Sequence, residues 1–196
     1  MLNIHTLTLG AYGTNCYIVH DSASKTCCVI DPGYTPEKVL SEVNALGLTV
    51  EAILLTHGHF DHVGGVKEIA AETGCDVYLC ADELTLPPQI TAGPLYYTKT
   101  YGEGDTLHLA GLTISVIRTP GHTPGSVCLL IGDAMFSGDT LFAGSCGRTD
   151  LPGGSDAAMR ASLRRLAGLS ADYRVYPGHG MDTTLAEEKR YNPYLR

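Results

Sequence analysis

The sequence predicts an α+β fold in which two β-sheets pack together with helices outside. Two observations point to it. Short runs rich in Ile, Val, Tyr and Cys recur along the chain and are interrupted by helical segments twice over, a pattern that two packed sheets with outer helices satisfy. The chain has 196 residues and is 44% hydrophobic, which allows one domain over residues 1–196 with a sizeable core. Early strands are expected at 2–9, 16–20 and 27–31, separated by Gly, Asn, Asp and Ser. Residues 36–46 read as a helix, with Thr35 as N-cap and Gly47 as stop. The apolar run 52–55 is a buried strand. Val66, Ile69 and Ala70 recur at helical spacing, so a helix is expected from Asp61 to about Thr73, followed by a strand at 77–80. Residues 86–104 hold prolines, glycines and the pair Tyr96-Tyr97 without periodicity; a loop this long in a compact domain is usually functional or a lid. Strands resume at 106–109, 112–118, 126–131 and 134–137. Residues 155–166 form a helix capped by Ser155, with Ala158, Leu163 and Leu166 inward. A last strand at 174–176 and a last helix at 183–190 complete the pattern. The sequence holds no repeat, low-complexity segment or linker.

The formal net charge of −8 argues against nucleic acid as a partner. Residues 1–117 hold 4 basic and 13 acidic groups, a balance of −9, whereas residues 118–196 hold 9 and 8, a balance of +1. Either the acidic surface is simply solvated, or the C-terminal half meets an anionic substrate. No apolar stretch approaches a membrane span, so no membrane partner is expected. Met1-Leu2-Asn3-Ile4-His5 lacks the charged and apolar regions of a signal peptide, and a cytoplasmic location is the expectation. Seven cysteines, an odd number with Cys27 and Cys28 adjacent, do not suit a disulfide framework. The apolar settings of Cys16, Cys28, Cys80 and Cys128 suggest buried reduced thiols.

Seven potential metal ligands stand at strand ends: His57, His59, Asp61, His62, His122, Asp139 and His179. Imidazole nitrogens and carboxylate oxygens are ligands of borderline divalent metals such as zinc. Seven exceed what one tetrahedral ion uses and suit two ions sharing a carboxylate and a water. Residues two apart face the same way only on an extended chain, so His57 and His59 converge only on an extended or looped backbone. The spacing is not that of the zinc proteases, which place two histidines four apart on a helix. Asp61 falls near a helix start, where a carboxylate suits the dipole. Gly64 and Gly65 are poor helix formers that allow close backbone approach. His5, His20 and His108 lie on expected strands and are read as structural. Asp31, at a strand end before Pro32, is either a carboxylate that orients a ligating histidine or a turn residue.

These pieces, Thr56-His57-Gly58-His59-Phe60-Asp61-His62, Gly121-His122, Gly138-Asp139-Thr140 and Gly178-His179-Gly180, resemble the metallo-β-lactamase superfamily in order over roughly the whole chain. Gly147-Arg148-Thr149-Asp150 and Asn192-Pro193-Tyr194 look most like the glyoxalase II-like hydrolases in their short single-domain form. The resemblance implies an αββα sandwich of two mixed β-sheets flanked by helices. It implies that His57, His59 and His122 hold one ion, that Asp61, His62 and His179 hold the other, and that Asp139 bridges. The cofactor expected is two divalent metal ions, zinc first, with iron or manganese as alternatives.

Two such ions would supply hydroxide at working pH for attack on a thioester carbonyl, with Asp61 as the residue expected to orient it. A thiolate leaving group needs no dedicated general acid. Arg148 resembles a basic substrate contact, or else pairs with Asp150. Tyr96 and Tyr97 are further candidate substrate contacts, with loop anchoring as their plainer role, and Cys146 reads as a packed thiol beside the site. The expected partner is a small-molecule thioester such as S-lactoylglutathione. A persulfide dioxygenase with one iron on His57, His122 and Asp139 is the first alternative. A hydrolase of another ester, lactone, β-lactam or phosphodiester, and a non-catalytic scaffold, are the others.

Overall fold

In the computed structural model, which describes residues 1–195, the first half of the chain builds one sheet. Its order is β1 (Leu2–Leu9), β2 (Thr14–Asp21), β3 (Thr26–Ile30), β4 (Thr49–Leu54), β5 (Asp76–Cys80) and β6 (Lys99–Tyr101). β1 to β3 pair antiparallel, and β3 to β6 pair parallel. Parallel neighbours require crossovers. α1 (Pro36–Ala45) supplies the first, and α2 (Phe60–Val63) with α3 (Val66–Thr73) the second. A 3-10 turn (Ala81–Thr85) and α4 (Pro88–Thr91) lead into β6.

The second half begins with β7 (Thr106–Leu109), β8 (Leu112–Arg118), β9 (Val127–Ile131) and β10 (Ala134–Gly138). A small hairpin follows, β11 (Leu141–Phe142) with β12 (Ser145–Cys146), then α5 (Asp156–Ala167), β13 (Arg174–Pro177), β14 (Thr183–Thr184) and α6 (Leu185–Tyr191). The second sheet runs β14-β13-β10-β9-β8-β7. It is antiparallel except where β10 meets β13 across the α5 crossover.

Alternation along the strands divides the interior into three apolar layers. Tyr17, Ile30, Leu54, Val116, Leu129 and Phe136 lie between the two sheets. Their strand neighbours Ile18, Val29, Ile53 and Leu55 face the other way, onto Val39, Val43, Val66 and Ile69 of α1 and α3. Met135 and Val175 likewise meet Met159, Leu163, Leu166 and Leu185 of α5 and α6. Burying each such side chain contributes about 1.5–3 kcal/mol, so a one-residue register slip exchanges two filled layers and is strongly disfavoured. The arrangement is the αββα sandwich. Among the described residues no helix is long and apolar enough to cross a membrane.

Several local expectations are corrected. Thr35 does not cap α1: it sits at φ 59°, and its hydroxyl donates to the Tyr34 carbonyl at 2.6 Å. The helix expected over 61–73 breaks into α2 and α3 at Gly64-Gly65. A Cβ there would come within 2.8 Å and 3.1 Å of the Gly33 carbonyl oxygen, respectively, so the chain turns where it must pass another backbone closely. Residues 86–104 are not one loop, since α4 and the edge strand β6 lie within them. Met159 rather than Ala158 is the first buried residue of α5. The last helix begins at Leu185 rather than at residue 183, because residues 183 and 184 form β14; Thr184 caps it, accepting from the Glu187 N–H at 3.2 Å.

Candidate metal centre

Every proposed ligand follows or ends a strand at the same edge of the sandwich. β4 leads through Thr56 into His57 and His59; α2 carries Asp61 and His62; the β8–β9 loop carries His122; Asp139 follows β10 and His179 follows β13. Strands at fixed register hold these loops, so side chains distant in sequence meet with little freedom. His57, His59 and His122 offer ligand atoms within 4.8 Å of one another, and so do Asp61, His62 and His179. Asp139 lies between the two groups. Its Oδ1 is 3.4 Å from His62 Nε2, and its Oδ2 is 3.4 Å from His122 Nε2 and 3.6 Å from His179 Nε2.

The donor atoms fit a metal ion. His57 Nε2, His59 Nε2, His122 Nε2 and Asp139 Oδ1 are buried without a hydrogen-bond partner. Buried polar atoms left unpaired are costly, and three imidazole lone pairs with a carboxylate oxygen are a divalent cation's donors. For His57, His62, His122 and His179 the Nδ1 side of the ring has its own partner, which directs Nε2 to the centre. His122 Nδ1 donates to the Arg148 carbonyl at 2.8 Å and His179 Nδ1 to the Tyr12 carbonyl at 3.2 Å. His62 Nδ1 donates to Asp31 Oδ2 at 3.0 Å. His57 Nδ1 donates to the Thr56 hydroxyl at 3.1 Å, which itself donates to Asp31 Oδ2 at 2.5 Å. A proton held on Nδ1 leaves the Nε2 lone pair for a ligand.

Asp31 also stands near His57 and His62 as a third potential group. Its oxygens are already engaged by the Thr56 N–H at 2.7 Å, the Thr56 hydroxyl and His62, so it sits behind the ligands. It is also a turn residue, at φ 49° before Pro32, and the two readings of its role coexist.

Charge divides the two groups. Burial, followed by the neighbouring imidazoles, pushes His57 well down; burial and His122 push His59 down to about 4; burial pushes His122 down. All three stay neutral, the ligating form. Burial opposes the charged form of His62 too, but Asp139, Asp31 and Asp61 outweigh it and lift the ring to about 9. His179 is also raised, as burial is outweighed by its contacts with Asp61 and Asp139. Asp61 is held well below the usual carboxylate range despite burial, by His179, His62 and the Thr14 hydroxyl. A field that favours protons on His62 and His179 equally favours a divalent cation there.

The centre opens into a cavity of about 640 Å³ whose wall includes Tyr12, Phe60, Ile90, Phe142 and Leu151, a size typical of small-molecule sites. Arg148 lines it, and also lines an adjoining cleft of about 610 Å³ with Arg160, Arg164 and Tyr194. Arg148 does pair with Asp150, through two bonds of 2.7 Å, but both side chains are largely exposed. Cys146 borders both spaces, and burial keeps it a thiol. Tyr96 and Tyr97 do not line the metal cavity; Tyr96 borders a separate groove with Tyr34 and Phe60. The 86–104 segment reaches the cavity through Ile90 instead.

Several residues without a motif of their own hold the candidate ligands. Thr14 donates to Asp61 Oδ2 at 3.0 Å. Asn15 donates to the carbonyls of Pro177 and Gly180, at 3.1 and 2.9 Å, and so pins the His179 loop. Thr56 and Glu83 are fully buried beside the histidine loops. The available signal was polarity out of place: Thr14 and Asn15 precede the apolar run 16–19, and Thr56 follows the apolar run 52–55.

The family model of the metallo-beta-lactamase superfamily matches residues 9–179. A protein of Haemophilus influenzae named hydroxyacylglutathione hydrolase GloC is 32% identical, over 99% of this chain and 98% of its own. Among solved structures, the B3 metallo-beta-lactamase BLEG-1 superposes with a TM-score of 0.89 at 34% identity, covering 100% of this chain and 99% of that one. TTHA1623 in a di-iron-bound form does so with a TM-score of 0.87 at 41% identity, covering 97% and 100%.

Proposed function

Since this chain belongs to the metallo-beta-lactamase superfamily, we propose that it is a binuclear metallohydrolase of small thioesters, of the hydroxyacylglutathione hydrolase type. The observation that carries the two-ion count is Asp139, whose two oxygens face both ligand groups. His57, His59 and His122 would hold one ion, Asp61, His62 and His179 the other, with Asp139 between. When bound, such ions would supply a water with a pKa of about 7 and an electrophile for a carbonyl oxygen. Zinc fits these donors; the di-iron neighbour keeps iron open.

The chain's own groups do the rest. Asp61, fixed by Thr14, orients the attacking water through the oxygen that faces His62 and His179. The apolar cavity wall receives the acyl portion. Arg148, at the junction with the arginine-lined cleft, meets an acidic thiol carrier. Among the described residues, the only carboxylates lining the cavity are Asp61 and Asp139, and no lysine lines it. A thiolate leaves without a general acid, so a thioester suits this inventory. The likeness over its full length to a hydroxyacylglutathione hydrolase supports the same substrate class.

The likeness to BLEG-1 favours a second reading, β-lactam hydrolysis. The test is bound metal, followed by turnover of a panel of thioesters varied in both halves, with a β-lactam included. Two ions per chain and hydrolysis of acidic thioesters support the proposal. One iron per chain with oxygen uptake would replace it with a persulfide dioxygenase, and turnover of the β-lactam alone would favour the second reading.

A further inference from the structure

Glu83 is fully buried at the end of the first sheet, in the 3-10 turn after β5. Its Oε2 accepts the Gly58 N–H at 2.5 Å, and its Oε1 accepts the Gly125 N–H at 2.6 Å. Gly58 lies between His57 and His59, and Gly125 is three residues after His122. One carboxylate therefore spans from the loop of the first sheet to the loop of the second, and its two oxygens each hold one of them. Both glycines are required by this approach. A Cβ on Gly58 would lie 3.0 Å from Glu83 Oε2, and one on Gly125 would lie 2.8 Å from Oε1. No ion pair to Glu83 occurs among the described residues. A buried carboxylate without a counter-charge is expensive, and a cation among the three histidines it backs would offset that cost.

We propose that Glu83 is a positioning residue of the metal centre, stapling the His57–His59 loop to the His122 loop so that the three imidazoles converge on one ion. The proposal rests on the metal reading above and goes beyond it by assigning the preorganisation of one of the two sites to a residue outside the ligand set. In Glu83→Gln one acceptor oxygen becomes an NH2 group facing an N–H, so one loop is released while side-chain volume is conserved.

The test uses the full chain stripped of metal and reloaded with Zn(II) or Co(II). Stepwise affinity is read by chelator competition, the Co(II) absorption spectrum reports the coordination of each ion, and the melting temperature of the metal-free protein reports the fold. Glu51→Gln is the control, because Glu51 also accepts from a hydroxyl and an N–H, on the opposite end of β4. Glu83→Gln is expected to weaken one ion about 10- to 100-fold, the usual loss when an outer partner of a ligand is removed. It should alter that ion's spectrum, leave the other ion's affinity unchanged, and melt like the control. Gly58→Ala, whose Cβ would meet only the side chains of Glu83 and Leu95, should do the same and serves if Glu83→Gln does not fold. Equal affinities and spectra with only a lowered melting temperature would overturn the staple. A wild-type chain that takes up no metal would instead overturn the metal reading on which it rests.

Discussion

Replacing Asp31 with asparagine isolates the proton that presents His62 to an ion. Asp31 Oδ2 accepts from His62 Nδ1 at 3.0 Å and from the Thr56 hydroxyl at 2.5 Å, while Oδ1 accepts the Thr56 N–H at 2.7 Å. In Asp31→Asn the remaining oxygen can keep the Thr56 N–H, so the new NH2 group faces His62. A donor there can be met only by an unprotonated Nδ1, which moves the imidazole proton to Nε2 and removes the lone pair a metal needs. The backbone does not confound the change, because asparagine tolerates the φ of 49° that Asp31 adopts. A hydrogen bond to a charged group contributes about 1.5–3 kcal/mol, and every 1.4 kcal/mol is about tenfold in an equilibrium constant. The ion held by Asp61, His62 and His179 is therefore expected to bind roughly 10- to 100-fold more weakly. The other ion should be affected much less, since its link to Asp31 runs only through Thr56 and His57. Stepwise chelator competition on metal-free protein measures both. Thr56→Val is the complementary control, because it removes the hydroxyl that meets His57 while leaving the His62–Asp31 bond in place. Wild-type affinities for both ions in Asp31→Asn would refute the tautomer argument, however far the melting temperature moved.

Three further outcomes are expected. Asp139→Ala should lose one ion and most turnover, since both carboxylate oxygens face ligand groups; near-normal metal content and activity would defeat the two-ion assignment. Shortening the 86–104 segment so that Ile90 is removed from the cavity wall should change KM or acyl preference and leave bound metal unchanged, whereas unchanged kinetics on every thioester would make it a connector. Arg148→Ala should raise KM for acidic thioesters about tenfold, as for one hydrogen bond to a charged group, and spare neutral ones. Arg148→Lys should rescue only in part, because the forked geometry is lost. Its melting temperature should stay put, since the Arg148–Asp150 pair is exposed and exposed pairs add little stability. The His122 support also survives the mutation, because it comes from the Arg148 carbonyl. Equal losses on charged and neutral substrates would sink the recognition role.

What was legible in the residues was whatever a short stretch of chain encodes by itself. Alternation such as Tyr17, Ile18 and Val19 places successive side chains in different layers, and this pattern does not depend on what lies opposite. Ser155 before α5 was readable as a cap for the same reason, since it accepts from the Ala158 N–H three residues on. Elements too short for any periodicity were invisible, the two-residue strands of the β11–β12 hairpin and the three residues of β6 among them. Thr35 shows the converse failure: its residue type suits a cap, but its backbone lies in the left-handed region, where the hydroxyl turns back on Tyr34.

For the site, the donor inventory was legible in the residues, because imidazoles and carboxylates at strand ends have the chemistry to hold a metal, and side-chain identity is written in the sequence. How those donors are grouped and held depends on contacts made only when the whole chain is packed. The carbonyls that fix His122 and His179 belong to Arg148 and Tyr12, and a backbone carbonyl looks the same in every residue. Glu83 meets Gly58 and Gly125 across 25 and 42 positions, and Thr14 meets Asp61 across 47. Tyr96 and Tyr97, plausible on residue type, stand outside the cavity, while Ile90 lines it. Such proximities follow from the pairing and stacking of whole sheets, a long-range packing result that no local pattern of residues carries.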